Sequence, residues 1–167
     1  MKTLLLLRHA KSDWDADFET DHERPLSARG RRDAPRMGRF LAANGPLPDL
    51  CLTSTAVRAR TTLRLAHEAG GWPAPIEETR DLYHANPPSV LRLLEGIDDD
   101  VETILLAGHE PTMSSVVEGF TGGQVRMPTA ALACIDFEID EWEDVDWEDG
   151  TLRWLVIPKA LKKAYGG

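Results

Sequence analysis

Three short segments carry residues that can hold and attack an anion. LLLLRHAKS contains Arg8 and His9, STAVRARTT contains Arg58, and ILLAGHEP contains His109. Guanidinium groups match phosphate oxygens with paired N–H donors. An imidazole among them can attack phosphorus or stabilise the oxygens of a group in transfer. Each residue alone says little, since a histidine after an apolar run is commonly structural and an arginine in a helix's first turn is commonly solvated. The chemistry requires all four to meet, and their positive charge can then do the work of a metal ion, so the pattern calls for no metal and no cofactor.

Meeting depends on the elements that deliver them. Thr3–Leu7 reads as a strand ending on Arg8 and His9, and Glu102–Ala107 as a strand ending on Gly108 and His109. Leu50–Thr53 reads as a short strand, with Ser54 or Thr55 capping a helix to about Ala69, stopped at Gly70-Gly71. Ser27 reads as the cap of a helix to about Ala43, with Pro35 inside it predicting a kink or a late start. Ile76–Glu78 reads as a further short strand, Pro88 opens a helix carrying Val90 and Leu94, and Pro111 opens one to about Phe120. ALACIDFEID and TLRWLVI alternate and predict an antiparallel edge hairpin; Ala160–Tyr165 reads as a short basic helix.

Strands alternating with helices predict an α/β fold, a mostly parallel sheet sandwiched between helical layers with an antiparallel edge hairpin. Ligands bind such sheets at the carboxyl ends of the strands, which is where both leucine-rich runs deliver their histidines. The two runs therefore stop where a site begins.

At 167 residues the chain is expected to form a single domain over residues 1–167. A net charge of −9 argues against nucleic acid or a membrane surface as partner. No apolar stretch approaches the ~20 residues of a membrane span, and Leu4–Leu7 is too short for a signal-peptide core, so a cytoplasmic location is expected. Cys51 and Cys134 lie in apolar runs and read as small buried hydrophobes. The acidic 136–149 segment reads as a solvated hairpin tip that protects a sheet edge. It lacks the glycine-punctuated spacing of a calcium loop.

LLLLRHAKS resembles the signature strand of the histidine phosphatase superfamily, with Arg8-His9-Ala10 in place of the usual Arg-His-Gly. STAVRARTT is similar to that family's second segment through Ser54, Ala56, Arg58, Ala59 and Thr62, and Gly108-His109 to its second-histidine segment. ERPLSARG and MPTAALACI resemble the small bacterial branch that includes the SixA-type phosphohistidine phosphatases. The resemblance implies a phosphoglycerate-mutase-like fold. It makes His9 the nucleophile that becomes phosphorylated, and Arg8, Arg58 and His109 the groups that hold the phosphoryl oxygens. Arg24 is then either a further phosphate contact or the partner of Asp21 or Glu23 in a surface ion pair. The family's larger members protonate the leaving oxygen with a carboxylic acid; the candidate here is Asp81, with Glu78 behind it.

The resemblance thus implies a metal-independent hydrolase acting on a phosphorylated substrate, a phosphohistidine protein first. A phosphatase of small phosphorylated metabolites and a silent phosphate-binding domain are the alternatives. A metal site using Asp13, Asp15, Asp17, His22 and the site histidines is a further reading, less simple than a solvated loop. His22, His67 and His84 otherwise read as structural or exposed groups.

Overall fold

The computed structural model describes residues 1–165. One six-stranded sheet runs in the order β3-β2-β4-β1-β5-β6. Its strands are β1 (Lys2–Arg8), β2 (Leu50–Ser54), β3 (Ile76–Thr79), β4 (Thr103–Gly108), β5 (Leu132–Phe137) and β6 (Gly150–Val156). The pairs β3/β2, β2/β4 and β4/β1 are parallel, while β5 runs antiparallel to both neighbours. This is the α/β/α architecture that the strand–helix alternation implies. The hairpin's second strand forms the edge, and β5 lies inside the sheet.

The helices are α1 (Ala28–Asn44), α2 (Val57–Gly70), α3 (Pro87–Glu95), α4 (Thr112–Thr121) and α5 (Pro158–Leu161). They cover both faces, so β1 is apolar at successive positions rather than alternating. Leu5 and Leu7 pack with Met37 and Leu41 of α1 and Leu63 of α2. Leu4 and Leu6 pack on the other face with Val90 and Leu94 of α3 and Val116 and Phe120 of α4. Helices α1 and α2 touch closely at Gly38, where a Cβ would stand 1.9 Å from the Ala66 carbonyl oxygen.

Several local expectations need correction. Helix α1 starts at Ala28, capped by Ser27 Oγ, and continues past Pro35, so there is no late start. Ser54 does not cap α2. The helix begins at Val57 behind Ala56 with no side-chain cap, because Ser54 Oγ is engaged elsewhere. Asn86, one residue before the first of two prolines, caps α3 reciprocally with Ser89. The tail helix is Pro158–Leu161 rather than Ala160–Tyr165, with proline in its first turn setting the start.

The acidic hairpin connection is more than a solvated tip. Its carboxylates from Glu138 to Asp149 are exposed, yet Trp142 is fully buried. The Trp142 backbone N–H donates to Asp99 Oδ1 and its indole N–H to the Val101 carbonyl, both at 2.7 Å. Trp147 stacks on Phe120 at 4.6 Å. Cys51 and Cys134 are buried free thiols, pushed up to about 12 and about 11 by burial. No helix among the described residues is long and apolar enough to cross a membrane.

Candidate active site

The register of β1 and β4 places Arg8 opposite Gly108, so His9 and His109 leave the sheet side by side. The His9 backbone N–H donates to the Gly108 carbonyl at 3.0 Å, and the two imidazole centroids lie 5.3 Å apart. Arg58 arrives from the first turn of α2, which Thr62 ties to the loop after β1. Thr62 Oγ1 donates to the Arg58 carbonyl at 2.6 Å and accepts the Ala10 N–H at 2.9 Å.

Arg24 comes from a loop that turns back on itself. A bridge between Ser12 and Leu26, with the Asp13 N–H donating to the Pro25 carbonyl, closes that loop over the sheet edge. Arg24 is buried rather than on the surface, donates to Ser12 Oγ, and carries the Trp14 ring 3.7 Å from its guanidinium carbon. It also pairs with Asp21 at 3.0 Å. Arg58 pairs with the same carboxylate at 3.0 Å, and the Tyr83 hydroxyl donates to it at 2.9 Å. Partial burial would by itself raise the Asp21 pKa. The hydrogen bonds from Arg24 and Tyr83 and the charge of Arg58 overcome that and hold the carboxyl well below the usual range.

Both histidines are neutral at physiological pH. Burial is the largest cause in each case. His9 is lowered to about 4, with Arg58, Arg8 and Arg24 adding to the effect against the Ala10 hydrogen bond, and His109 to about 3, with His9 and Arg58 adding. His9 Nδ1 lies 2.7 Å from the Ala10 carbonyl, an acceptor only, so Nδ1 carries the proton and Nε2 keeps its lone pair. His109 Nε2 lies 2.8 Å from Ser54 Oγ, which in turn accepts the Ala56 N–H. The direction of that bond follows the His109 tautomer: where the Ser54 hydroxyl donates to Nε2, the His109 proton sits on Nδ1. Arg8 is anchored through Nη1 to the Met127 carbonyl at 2.9 Å. Burial lowers its pKa, opposed by the Glu110 carboxylate.

Among the described residues, five buried side-chain donors or acceptors have no partner within the protein. Four of them belong to this cluster: Nε of Arg8, Arg24 and Arg58, and Nδ1 of His109. A buried polar atom left unpaired costs about 1–3 kcal/mol, so an arrangement that gathers four in one place is built to receive an acceptor-rich group.

A model of the histidine phosphatase superfamily (branch 1) matches residues 4–86, the span holding Arg8, His9, Arg24 and Arg58. An uncharacterized protein of Mycobacterium tuberculosis is 38% identical over 164 residues, covering 92% of this chain and all of the relative. The chain belongs to the histidine phosphatase superfamily. Its structure is of the SixA type within that superfamily. A chain from Agrobacterium tumefaciens assigned as phosphohistidine phosphatase SixA superposes with a TM-score of 0.80 at 29% identity, over 94% of this chain and 98% of that one. One from Nakamurella multipartitia with the same assignment gives 0.80 at 26% identity, over 94% and 96%. Membership in this superfamily supports phosphatase activity on a phosphorylated substrate.

Among the described residues the other candidates form no hydrogen bond or ion pair with Arg8, His9, Arg58 or His109. Asp81 lies exposed on a 3-10 turn, its backbone N–H held by Thr79 Oγ1. Glu78 pairs with Arg60 at 3.2 Å. Asp13 Oδ1 accepts the Asp15 N–H within its own loop, and no group of three His, Cys, Asp or Glu side chains among the described residues is placed to hold an ion. His67 binds the Ala74 carbonyl, away from the site. His22, read as structural or exposed, makes structural contacts: its Nε2 lies 2.8 Å from Thr55 Oγ1 and its ring meets the Tyr83 ring edge-on at 4.8 Å. Sequence reasoning missed the roles of Ser54 and Tyr83, and gave Asp21 only as an ion-pair partner of Arg24 and not of Arg58. Only Asp21 left a signal, three residues before Arg24.

Proposed function

We propose that this chain, as one histidine phosphatase domain over residues 1–167, hydrolyses phosphohistidine on a protein through a phosphorylated His9. The observation that carries the reading is the set of three unpaired buried guanidinium N–H donors, with the unpaired His109 Nδ1 beside them, around a neutral His9 whose lone pair is on Nε2.

In the first step His9 Nε2 forms a bond to phosphorus, and the bond from phosphorus to the leaving nitrogen breaks with its electron pair going to that nitrogen. Arg8, Arg58 and His109 Nδ1 hold the three phosphoryl oxygens as charge shifts among them, and Arg24 adds a further contact. In the second step water attacks phosphorus, the P–N bond to His9 breaks, and its electrons return to Nε2. Inorganic phosphate leaves, and the spare water proton goes to solvent.

A phosphohistidine whose other ring nitrogen is protonated departs as neutral imidazole and requires no further acid. This suits a site where the carboxylate touching the arginines, Asp21, stays ionised. For an oxygen leaving group the candidate acid is Asp81. The reaction is proposed to need no metal, since the guanidinium groups supply the charge.

The test is a hydrolysis screen of a phosphohistidine protein, free phosphohistidine, sugar phosphates and an aryl phosphate, each with and without EDTA. Phosphohistidine should be turned over fastest, with no loss in chelator, and acid-labile, base-stable phosphate should be trapped on His9. A preference for sugar phosphates would transfer the site to small metabolites. Loss of activity in EDTA, restored by Mg²⁺ or Zn²⁺, would overturn the metal-free step.

A further inference from the structure

The chain is acidic as a whole, yet one cleft beside the site is lined by cations. Arg29, Arg32 and Arg36 of α1 form one wall, and Lys159 and Lys162 of the tail form the other, around about 500 Å³. The three arginines stand at i, i+3 and i+7, a single stripe on the helix. Asp33 sits among them, 2.7 Å from Arg36 and 4.0 Å from Arg29. Arg32, Lys159 and Lys162 are exposed and make no ion pair among the described residues.

The cleft adjoins the catalytic cluster through one short segment. Pro128 and Thr129 line it. The residues on either side of them serve the site: the Met127 carbonyl anchors Arg8, and the Ala130 N–H donates to the His9 carbonyl at 3.0 Å. Helix α1 starts against the loop after β1, where Gly30 lies so close to Lys11 that a Cβ would stand 2.2 Å from its carbonyl oxygen.

We propose that this cleft binds an acidic stretch of the phosphoprotein substrate, flanking the phosphohistidine that enters the site. The inference rests on the phosphohistidine reading above and adds the chemistry of the partner surface. The spread of exposed charge selects a polypeptide over a second phosphate group. Arg36 is buried and paired with Asp33, but exposed Arg29 and Arg32 on one wall face exposed Lys159 and Lys162 on the other, and four cations spread over two elements match several successive carboxylates rather than one phosphate. Cations on two facing walls, with one carboxylate between them among the described residues, favour an anionic chain laid lengthwise. Such pairing sets partner choice and association rate and weakens with salt, since charges are screened beyond about 10 Å at 0.1 M.

The experiment compares wild type with R32E/K159E/K162E and with the milder R32Q/K159Q/K162Q, using two synthetic phosphohistidine peptides. One carries six glutamates next to the phosphohistidine and the other six glutamines. At low salt the wild type should hydrolyse the glutamate peptide about tenfold more efficiently, mainly through KM, and lose that preference at 0.5 M salt. Both variants should lose the preference while keeping the wild-type rate on the glutamine peptide. Equal efficiency on the two peptides in wild type, or a preference that survives in both variants, would overturn the proposal. A parallel arm measures binding of the unphosphorylated, fluorescein-labelled glutamate peptide by anisotropy. Binding by wild type and not by the variants supports the cleft even if the phosphohistidine bond is not cleaved, in which case only the catalytic reading fails. Absence of binding by wild type refutes the cleft whatever the hydrolysis result.

Discussion

Asp21 grips Arg58 twice: the guanidinium donates through Nη1 to the Asp21 backbone carbonyl at 2.8 Å and through Nη2 to its carboxylate at 3.0 Å. The same carboxylate takes Arg24 and Tyr83. It therefore fixes the arginine fork in place and at the same time competes with any anion for it. Asp21→Asn removes the competing charge and should tighten inhibition by inorganic phosphate roughly fivefold, about 1 kcal/mol, a modest value because half of this side chain is exposed. Turnover should fall as Arg58 loses its brace. A weaker phosphate inhibition constant in the variant would mean that Asp21 serves only to position Arg58.

Depressed histidine pKa values make a prediction about acid. His9 titrates near 4 and His109 near 3 in the folded chain, both below the ordinary value near 6.5. Between about pH 6.5 and 4 the unfolded chain binds these protons and the folded one does not, so stability falls as pH falls through that window. Each histidine contributes on the order of 1 kcal/mol per pH unit there. Denaturant unfolding at pH 7, 6 and 5 should show this decline, and His9→Gln should make it shallower. An NMR titration of the His9 ring should find its midpoint near 4; a midpoint near 6.5 would remove the neutral nucleophile from the mechanism.

The four site residues first recognised were legible because strand ends are. Apolar runs stopping abruptly on Arg8-His9 and Gly108-His109 mark carboxyl ends of buried parallel strands, and the β1/β4 register brings those ends together. Asp21 was legible only as a partner of Arg24 and Tyr83 not at all, since they reach the site through a loop closed by the Ser12–Leu26 bridge and through a 3-10 turn. Neither device leaves a periodic pattern. Ser54 was misread for a physical reason: a serine before a helix signals a cap, but here its hydroxyl serves His109. The burial of Trp142 was hidden by the charges around it, because composition averaged over 136–149 obscures one anchoring ring.

Arg58 and Arg60 offer a matched comparison on one helix. Arg58 is 6% exposed and lies in the site with its fork on Asp21 and its Nε unpaired, whereas Arg60 is turned outward to Glu78. Arg58→Lys keeps the charge but gives up paired donors, and losing one well-placed transition-state donor costs about 3 kcal/mol, roughly a hundredfold in rate. Arg60→Lys should stay within about twofold, as expected of an exposed pair. Hydrolysis rates of both variants on one substrate decide the matter: equal, small losses would take Arg58 out of the phosphoryl site.

Trp142 separates stability from chemistry. Its ring packs with the core formed by α3, α4 and the sheet, and its two N–H groups are both satisfied at 2.7 Å. Trp142→Ala removes a large buried side chain and leaves the Val101 carbonyl without its indole donor, which should destabilise the fold by about 3–5 kcal/mol. Trp142→Phe keeps most of the volume and loses only the indole hydrogen bond, so its cost should be nearer 1–2 kcal/mol. The anchor sits on the β5–β6 connection, and none of its contacts reaches His9, Arg58 or His109. Turnover per folded molecule should therefore match wild type in both variants. Denaturant midpoints and kcat measured on the same samples test this. A fall in kcat for folded Trp142→Phe would show that the acidic connection is coupled to the catalytic cluster rather than serving only to seal the core.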